Sequence, residues 1–233
     1  MTMTVYDLKQ MSLRDVNAGL QHAAAQFSGI SEKRADTVQN PRGQHALAVG
    51  LNGAIDLHIE GSTGYYCGGM NQDARIHVSG SVGPGVAENM MSGCVEVAGD
   101  ASQYAGASGH GGLLVVRGNA ASRCGISMKG IHIVVEGNVG HMSAFMAQSG
   151  TLVVLGDAGD ALGDSIYEAQ LFVRGKVASL GADCVEKTMR TEHVQALAQL
   201  LGDADVDADP AEFKRYGSAR QLYHFHVDNA GAY

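Results

Sequence analysis

One glycine recurs every 19 residues, at Gly61, Gly80, Gly99, Gly118, Gly137, Gly156 and Gly175, with no insertion or deletion between successive copies. A period this short and this strict fits one coil of a solenoid per repeat and sets aside most globular architectures. Four residues before each glycine stand Leu57, Ile76, Val95, Leu114, Ile133, Leu152 and Leu171; two before it stand Ile59, Val78, Val97, Val116, Val135, Val154 and Val173. Every one is a branched aliphatic. Apolar residues two apart share one face of an extended segment, so each coil contributes a strand with those two side chains turned inward.

Small residues mark two further stations. Three after the anchor glycine come Gly64, Gly83, Ser102, Ala121, Gly140, Gly159 and Ala178, and seven after it Gly68, Ala87, Gly106, Gly125, Ala144, Gly163 and Ala182. A coil corner needs positive φ or close backbone approach; alanine and serine meet only the second need, so the Ala and Ser coils are expected to turn with negative φ. No uninterrupted stretch remains for a helix within the repeat. The expected fold is all-β, a single-stranded, right-handed parallel β-helix of seven coils, with the anchor glycines as structural corners and a length of roughly 34 Å at about 4.8 Å per coil.

Unpaired strand edges at the ends of such a stack need covers. The sequence divides accordingly into an N-terminal strand and helix cap over 1–38, the β-helix over 39–184 with an irregular first coil from Gln39 to Gly53, and C-terminal helices and tail over 185–233. Ser12 is placed to cap a helix with Asp15 at its third position, and Leu13, Val16, Leu20, Ala24 and Phe27 follow at helical spacing. A second helix opens at Thr191, with Val194, Leu197, Ala198 and Leu201 on one face, and closes at Gly202. The acidic stretch Asp203 to Asp209 reads as a solvated linker. Asp209, Pro210 and Glu212 start a short helix ending near Gly217, and Leu222 to Val227 alternates as a strand.

Charge and cysteine usage narrow the function. Sixteen Lys and Arg against 24 Asp and Glu give a net charge of −8 and no broad basic footprint, which argues against a nucleic-acid partner. No stretch approaches a membrane span, the first residues carry no secretory pattern, and a cytoplasmic location is expected. Cys67, Cys94, Cys124 and Cys184 form no Cys-x-x-Cys pair; Cys67 and Cys124 share a station three coils apart, too far for a disulfide.

Candidate chemistry is sparse. Asp100 and Asp157 share the station after the anchor, but at three coils' separation they make no acid–base pair. His58, His77 and Glu96 form an outward row on adjacent coils that suggests a metal or enzymatic site, as the His224 and His226 pair also does; an exposed polar row is equally what a solvated strand needs. His224 and His226 share a face of the last strand. Gly61, Gly64 and Gly68, and Gly156, Gly159 and Gly163, imitate a phosphate loop but lack its lysine and following helix. More telling, the row of His58 continues as Val115, Val134, Val153 and Phe172, an outward apolar strip that implies a cover. That cover is either the chain's own tail, with Leu222, Tyr223 and Phe225, or another protein, for which the strip is the candidate interface.

The coil motif, as in Gly61-Ser-Thr-Gly-Tyr-Tyr-Cys-Gly68 and Gly156-Asp-Ala-Gly-Asp-Ala-Leu-Gly163 with its preceding strand, resembles the carboxy-terminal GXGXG β-helix domain of the glutamate synthase large subunit over roughly residues 39–184. With the Ser12-Leu-Arg-Asp-Val-Asn17 helix and the tail from Phe213 to His226, the chain is similar to the free-standing β-helix subunit of N-methylglutamate synthase. That resemblance implies a non-catalytic structural subunit of a higher hetero-oligomer. Its partners would be an amidotransferase-like subunit and a synthase subunit carrying FMN and an iron–sulfur cluster, and the complex would convert methylamine and L-glutamate to N-methyl-L-glutamate and ammonia. None of the family's catalytic, cofactor-binding or metal residues map onto this chain. Alternatives are the β-helix subunit of a split glutamate synthase or of a formylmethanofuran-dehydrogenase-like complex, and, from another class, a metal or enzymatic site at His58, His77 and Glu96.

Overall fold

A computed structural model of the protein describes residues 3–27 and 34–219. Seven parallel strands carry the repeat: β3 (Ile55–Glu60), β4 (Arg75–Val78), β5 (Cys94–Val97), β6 (Leu113–Val116), β7 (Lys129–Val135), β8 (Ser149–Val154) and β9 (Gln170–Val173). Equivalent residues pair from coil to coil, Leu57 with Ile76, Ile76 with Val95, and so on to Leu152 with Leu171. The two aliphatic stations are buried along the whole stack, as the alternation predicts. A second inward ladder lies two residues after the anchor, where Thr63, Val82, Ala101, Ala120, Val139, Ala158 and Val177 bridge in sequence. The solenoid is therefore all-β and parallel.

Two more strands precede the repeat. β1 (Thr4–Asp7) pairs with β2 (Arg34–Gln39), and β2 pairs with β3, both in parallel. The sheet thus begins well before residue 39, and the N-terminal segment supplies strands as well as a helix. Val38 pairs with Ile59, 21 residues on rather than 19, which is why the first coil escapes the period.

Ser102, Ala121, Ala178 and Ala182 turn without positive φ, as expected, but two alanines depart from that expectation. Ala87 and Ala144 hold positive φ (54° and 57°), like Gly68, Gly106, Gly125 and Gly163 at the same station. So do the residues two before and two after, including Tyr66, Tyr104, Arg123 and Met142 on one side and Met70, Asn89, Ser127 and Met146 on the other. Each non-glycine residue costs ~1–3 kcal/mol in this region. What holds them is a second hydrogen-bond ladder between coils: Ala87 N–H donates to the Cys67 carbonyl at 2.9 Å and Ala144 N–H to the Cys124 carbonyl at 2.7 Å, while Met70 N–H donates forward to Glu88 at 2.8 Å. Left-handed residues alternating with others aim successive N–H groups alternately up and down the stack, so both neighbouring coils are satisfied.

The anchor glycines sit at a bend, but only Gly61 among them has positive φ. Their requirement is room. The station after the first six anchors carries Ser62, Ser81, Asp100, Asn119, Asn138 and Asp157, and each side-chain oxygen accepts the N–H of its counterpart on the next coil, the last being Lys176, at 3.1, 3.1, 2.7, 2.9, 2.7 and 2.7 Å. A Cβ on Gly137 would lie 2.6 Å from Asn119 Oδ1 and one on Gly99 2.5 Å from Ser81 Oγ. Asp100 and Asp157 are rungs of this polar ladder.

Helix α1 (Leu13–Gln26) seals the first coil, burying Val16, Leu20, Ala23 and Ala24 and capped by Ser12, whose Oγ accepts the Asp15 N–H. Its Asn17 stands in for a missing coil: Asn17 Nδ2 donates to the Ala46 carbonyl at 2.8 Å, and Ala48 N–H donates to Asn17 Oδ1 at 2.9 Å. Asn17→Ala strands both backbone groups, and the expected loss is about 1–3 kcal/mol in denaturant unfolding; an unchanged midpoint would show that water satisfies them as well.

At the other end, β10 (Cys184–Lys187) and β11 (Lys214–Ser218) reverse the parallel run, β11 pairing antiparallel with both β9 and β10. Helix α2 (Thr191–Asp203) lies between them in sequence. The helix expected toward Gly217 stops after one turn at Pro210–Glu212, because pairing with β9 and β10 satisfies the backbone of the following residues and buries Phe213 and Tyr216. The strand expected over Leu222–Val227, with Tyr223, His224, Phe225 and His226, lies outside the described residues.

Candidate functional site

The outward faces of β3 to β9 form one continuous surface, and its character changes halfway along. On the first coils the His58 and His77 rings lie 5.3 Å apart at 50°. His77 Nδ1 reaches Glu96 Oε2 at 3.6 Å. Glu96 is committed elsewhere: Arg117 Nη2 sits 2.7 Å from its Oε1, and Arg117 Nη1 reaches Glu136 at 2.7 Å and donates to the Asp205 carbonyl at 3.3 Å. Among the described residues no three His, Cys, Asp or Glu side chains are placed to hold a metal. Glu96, Arg117 and Glu136 make a chain of alternating charges, and the arrangement at His58, His77 and Glu96 brings two ligand atoms near each other but not three.

Partial burial of Glu96 opposes its ionisation, but the hydrogen bond and charge of Arg117, aided by His77, hold its carboxyl below the usual range. Since the folded value lies below the unfolded one, its stabilisation is complete at neutral pH and disappears as pH falls through the folded value. The melting temperature of Glu96→Gln is accordingly expected to lie below wild type near neutrality and to converge on it in acid. A gap that persists at low pH would refute this assignment.

Further along, Val115, Val134, Val153 and Phe172 are 0–2% exposed. Leu197, Leu200 and Leu201 of α2, with Ala204 and Phe213, form one apolar cluster with them. The strip is therefore no open interface: the chain's own α2 covers it. The tail residues Leu222, Tyr223 and Phe225, considered for this role, lie outside the described residues. The buried face of α2 is also rotated from the expected one. Ala198 is exposed and Val194 only half-buried, because contact is made through residues at i, i+3 and i+4 from Leu197. Nor is Asp203–Asp209 a fully solvated linker. Its aspartates at 203, 205, 207 and 209 face solvent, whereas Ala204, Val206 and Ala208 turn onto the strip.

Burial holds all four thiols in the protonated form at neutral pH: it pushes Cys67 and Cys184 up to about 11 and Cys124 to about 12, and raises the half-buried Cys94 as well. Several large apolar side chains stand open along the first turns, Tyr65, Tyr66, Met70 and Met91 among them. Tyr65 stacks on His45 at 3.7 Å and meets Tyr66 edge-on. Three of them recur at multiples of the 19-residue spacing, Tyr66 with Tyr104, Met142 and Leu180, Met70 with Met146, and Met91 with Tyr167, but small or polar residues on the coils between break each row.

A sequence model of the GXGXG motif matches residues 31–202, most of the chain and the whole repeat. This chain belongs to the GXGXG family. Its β-helix is the one represented in the carboxy-terminal domain of the glutamate synthase large subunit, as the coil motif indicates. Protein GlxC of Rhizobium meliloti (strain 1021) is 65% identical over 232 residues, covering 99% of this chain and 100% of that protein. Similarity therefore extends past the coils into both caps. Among the described residues no helix of this GXGXG protein is long and apolar enough to cross a membrane.

Proposed function

We propose that this GXGXG protein is the non-catalytic β-helix subunit of a glutamate-synthase-like complex of the N-methylglutamate synthase kind. The observation that carries the proposal is the end-to-end match to GlxC, which pairs 99% of this chain, both caps included, with 100% of that protein. The chemistry of the surface supports the same reading. Its aligned carboxylates are rungs of a structural ladder, its histidine–glutamate row ends in an arginine bridge, and its central thiols are sealed in the core. A rigid stack hydrogen-bonded along three ladders positions other subunits with little play, which is what a scaffold needs.

The partners proposed are an amidotransferase-like subunit and a subunit carrying FMN and an iron–sulfur cluster, the chemistry belonging to them. The test is to tag the chain in its native host, identify what co-purifies, and assay both preparations with methylamine and L-glutamate. The assembled complex is expected to release ammonia and form N-methyl-L-glutamate, and the chain alone to form nothing. Turnover by the pure chain would end the scaffold reading. A complex that transfers ammonia but not methylamine would assign it instead to a split glutamate synthase.

A further inference from the structure

The chain is acidic overall, with 16 Lys and Arg in all, yet three of these cations line one cleft of about 530 Å³. Lys187 stands at the end of β10, Arg190 at the start of α2 and Arg215 on β11, so the segments that close the solenoid bring them together. The opposite wall is the turn leading into β9, with Tyr167, Glu168 and Gln170. This volume falls in the usual range of small-molecule sites.

The electrostatics of the cleft are unfavourable as it stands. Burial and the neighbouring charge of Arg190 both weigh against the charged form of Arg215, with Glu192 only opposing them, and Arg215 Nε is spent on the Thr188 carbonyl at 3.2 Å. His193, on the first turn of α2, is pushed toward its neutral form by burial and by the same two arginines, against Glu192. Arg190 also occupies the N-cap of a 13-residue helix, where the helix dipole disfavours a cation and a guanidinium can accept no hydrogen bond, so the Glu192 carboxylate takes a first-turn N–H, its own, instead. Among the described residues the acidic relief is Glu168 on the wall and Glu192, which approaches Arg190 at 3.7 Å as a largely exposed pair. Three cations gathered at the positive end of a helix, against these two carboxylates among the described residues, form a ready receptor for an anion.

We propose that this cleft binds a small molecule bearing an oxyanion, a phosphate or a dicarboxylate, between Arg190, Arg215 and Lys187. The proposal is independent of the assembly reading, since it concerns a site built entirely by this chain. Isothermal titration of the full chain at constant ionic strength, with inorganic phosphate in one arm and glutarate in the other, tests it and separates the two sources. One saturable site is expected in at least one arm, weakened about ten-fold or more by Arg190→Gln and by Arg215→Gln. Arg75→Gln, remote from the cleft, is expected to bind like wild type. Should Arg215→Gln fail to fold, the exposed Arg190→Gln decides. Absence of saturable binding in both arms, or equal weakening by Arg75→Gln, would each overturn the proposal.

Discussion

Gly137→Ala is expected to be among the most damaging single-methyl additions this protein can receive. The residue needs no unusual φ, so the effect is purely one of space. Its new Cβ would sit 2.6 Å from Asn119 Oδ1 and 2.7 Å from the Gly118 carbonyl oxygen, distances at which something has to move. Asn119 cannot move without releasing the Asn138 N–H it accepts at 2.9 Å, and Gly118 cannot move without disturbing the Gly137 N–H it accepts at 2.9 Å. Overpacking of this sort costs ~1–3 kcal/mol, and a broken hydrogen bond adds about 1 kcal/mol. Taking about 3 kcal/mol in all, the melting temperature should fall by roughly 6–12 °C for a chain of this size. Combining it with Asn119→Gly, which removes the obstructing side chain but not the obstructing carbonyl, should restore part of the loss. A melting temperature within a degree or so of wild type would mean that the coils can separate locally at little cost, contrary to the spacing a parallel ladder imposes.

The same glycine explains what was legible in the sequence and what was not. Strands β3 to β9 could be read because a period of two within a period of 19 has one structural solution: the Leu57 to Leu171 and Ile59 to Val173 stations are buried in every coil. The reason for the anchor glycines was less visible. Turning a corner and making room are both answered by glycine, and only contact with the polar ladder tells them apart. That ladder was itself in view, since Ser62, Ser81, Asp100, Asn119, Asn138 and Asp157 all carry short side-chain acceptors at one station. Its meaning emerges only from which N–H lies above each oxygen.

The left-handed turn was illegible for a stronger reason. Tyr66, Tyr104, Arg123 and Met142 disfavour positive φ as single residues, and propensity gives no sign that six coils repeat the conformation. Hydrogen bonding to neighbouring coils overrides the local preference, an effect that exists only in the stack. The first coil was hidden by its two extra residues, and the buried face of α2 by an acidic linker whose alanines and valine pack inward. As for the site, the outer row of His58, His77 and Glu96 could be located from the sequence, but not Arg117, which lies on a different station and decides where Glu96 points.

Val134→Asp is expected to release α2 while leaving the coils standing. Val134 is fully buried against the cap, and its neighbours in the cluster offer no hydrogen-bond donor: Val115, Val153, Phe172, Leu197, Leu200 and Leu201 are all apolar. Losing the buried valine removes roughly 1.5–3 kcal/mol of apolar burial, and an unpaired carboxylate left in that contact costs several kcal/mol more. The protein has a cheaper response than unfolding its solenoid. The strands on either side are held by inward residues and by the parallel ladder, neither of which depends on α2, whereas α2 is held to the coils chiefly by this strip, with Arg117 and the Asp205 carbonyl at its trailing end. Local opening should therefore carry the penalty. In hydrogen exchange, amides of Thr191–Asp203 should lose protection while those of β3 to β6 retain theirs, and limited proteolysis should cut within 190–209. Leu197→Ala, which empties the same contact from the helix side, should give a milder form of the result at about 2–5 kcal/mol. If Val134→Asp instead left α2 protected, the helix would have to be anchored by contacts other than the strip; if it unfolded β3 to β6 together with α2, cap and coils would form one cooperative unit.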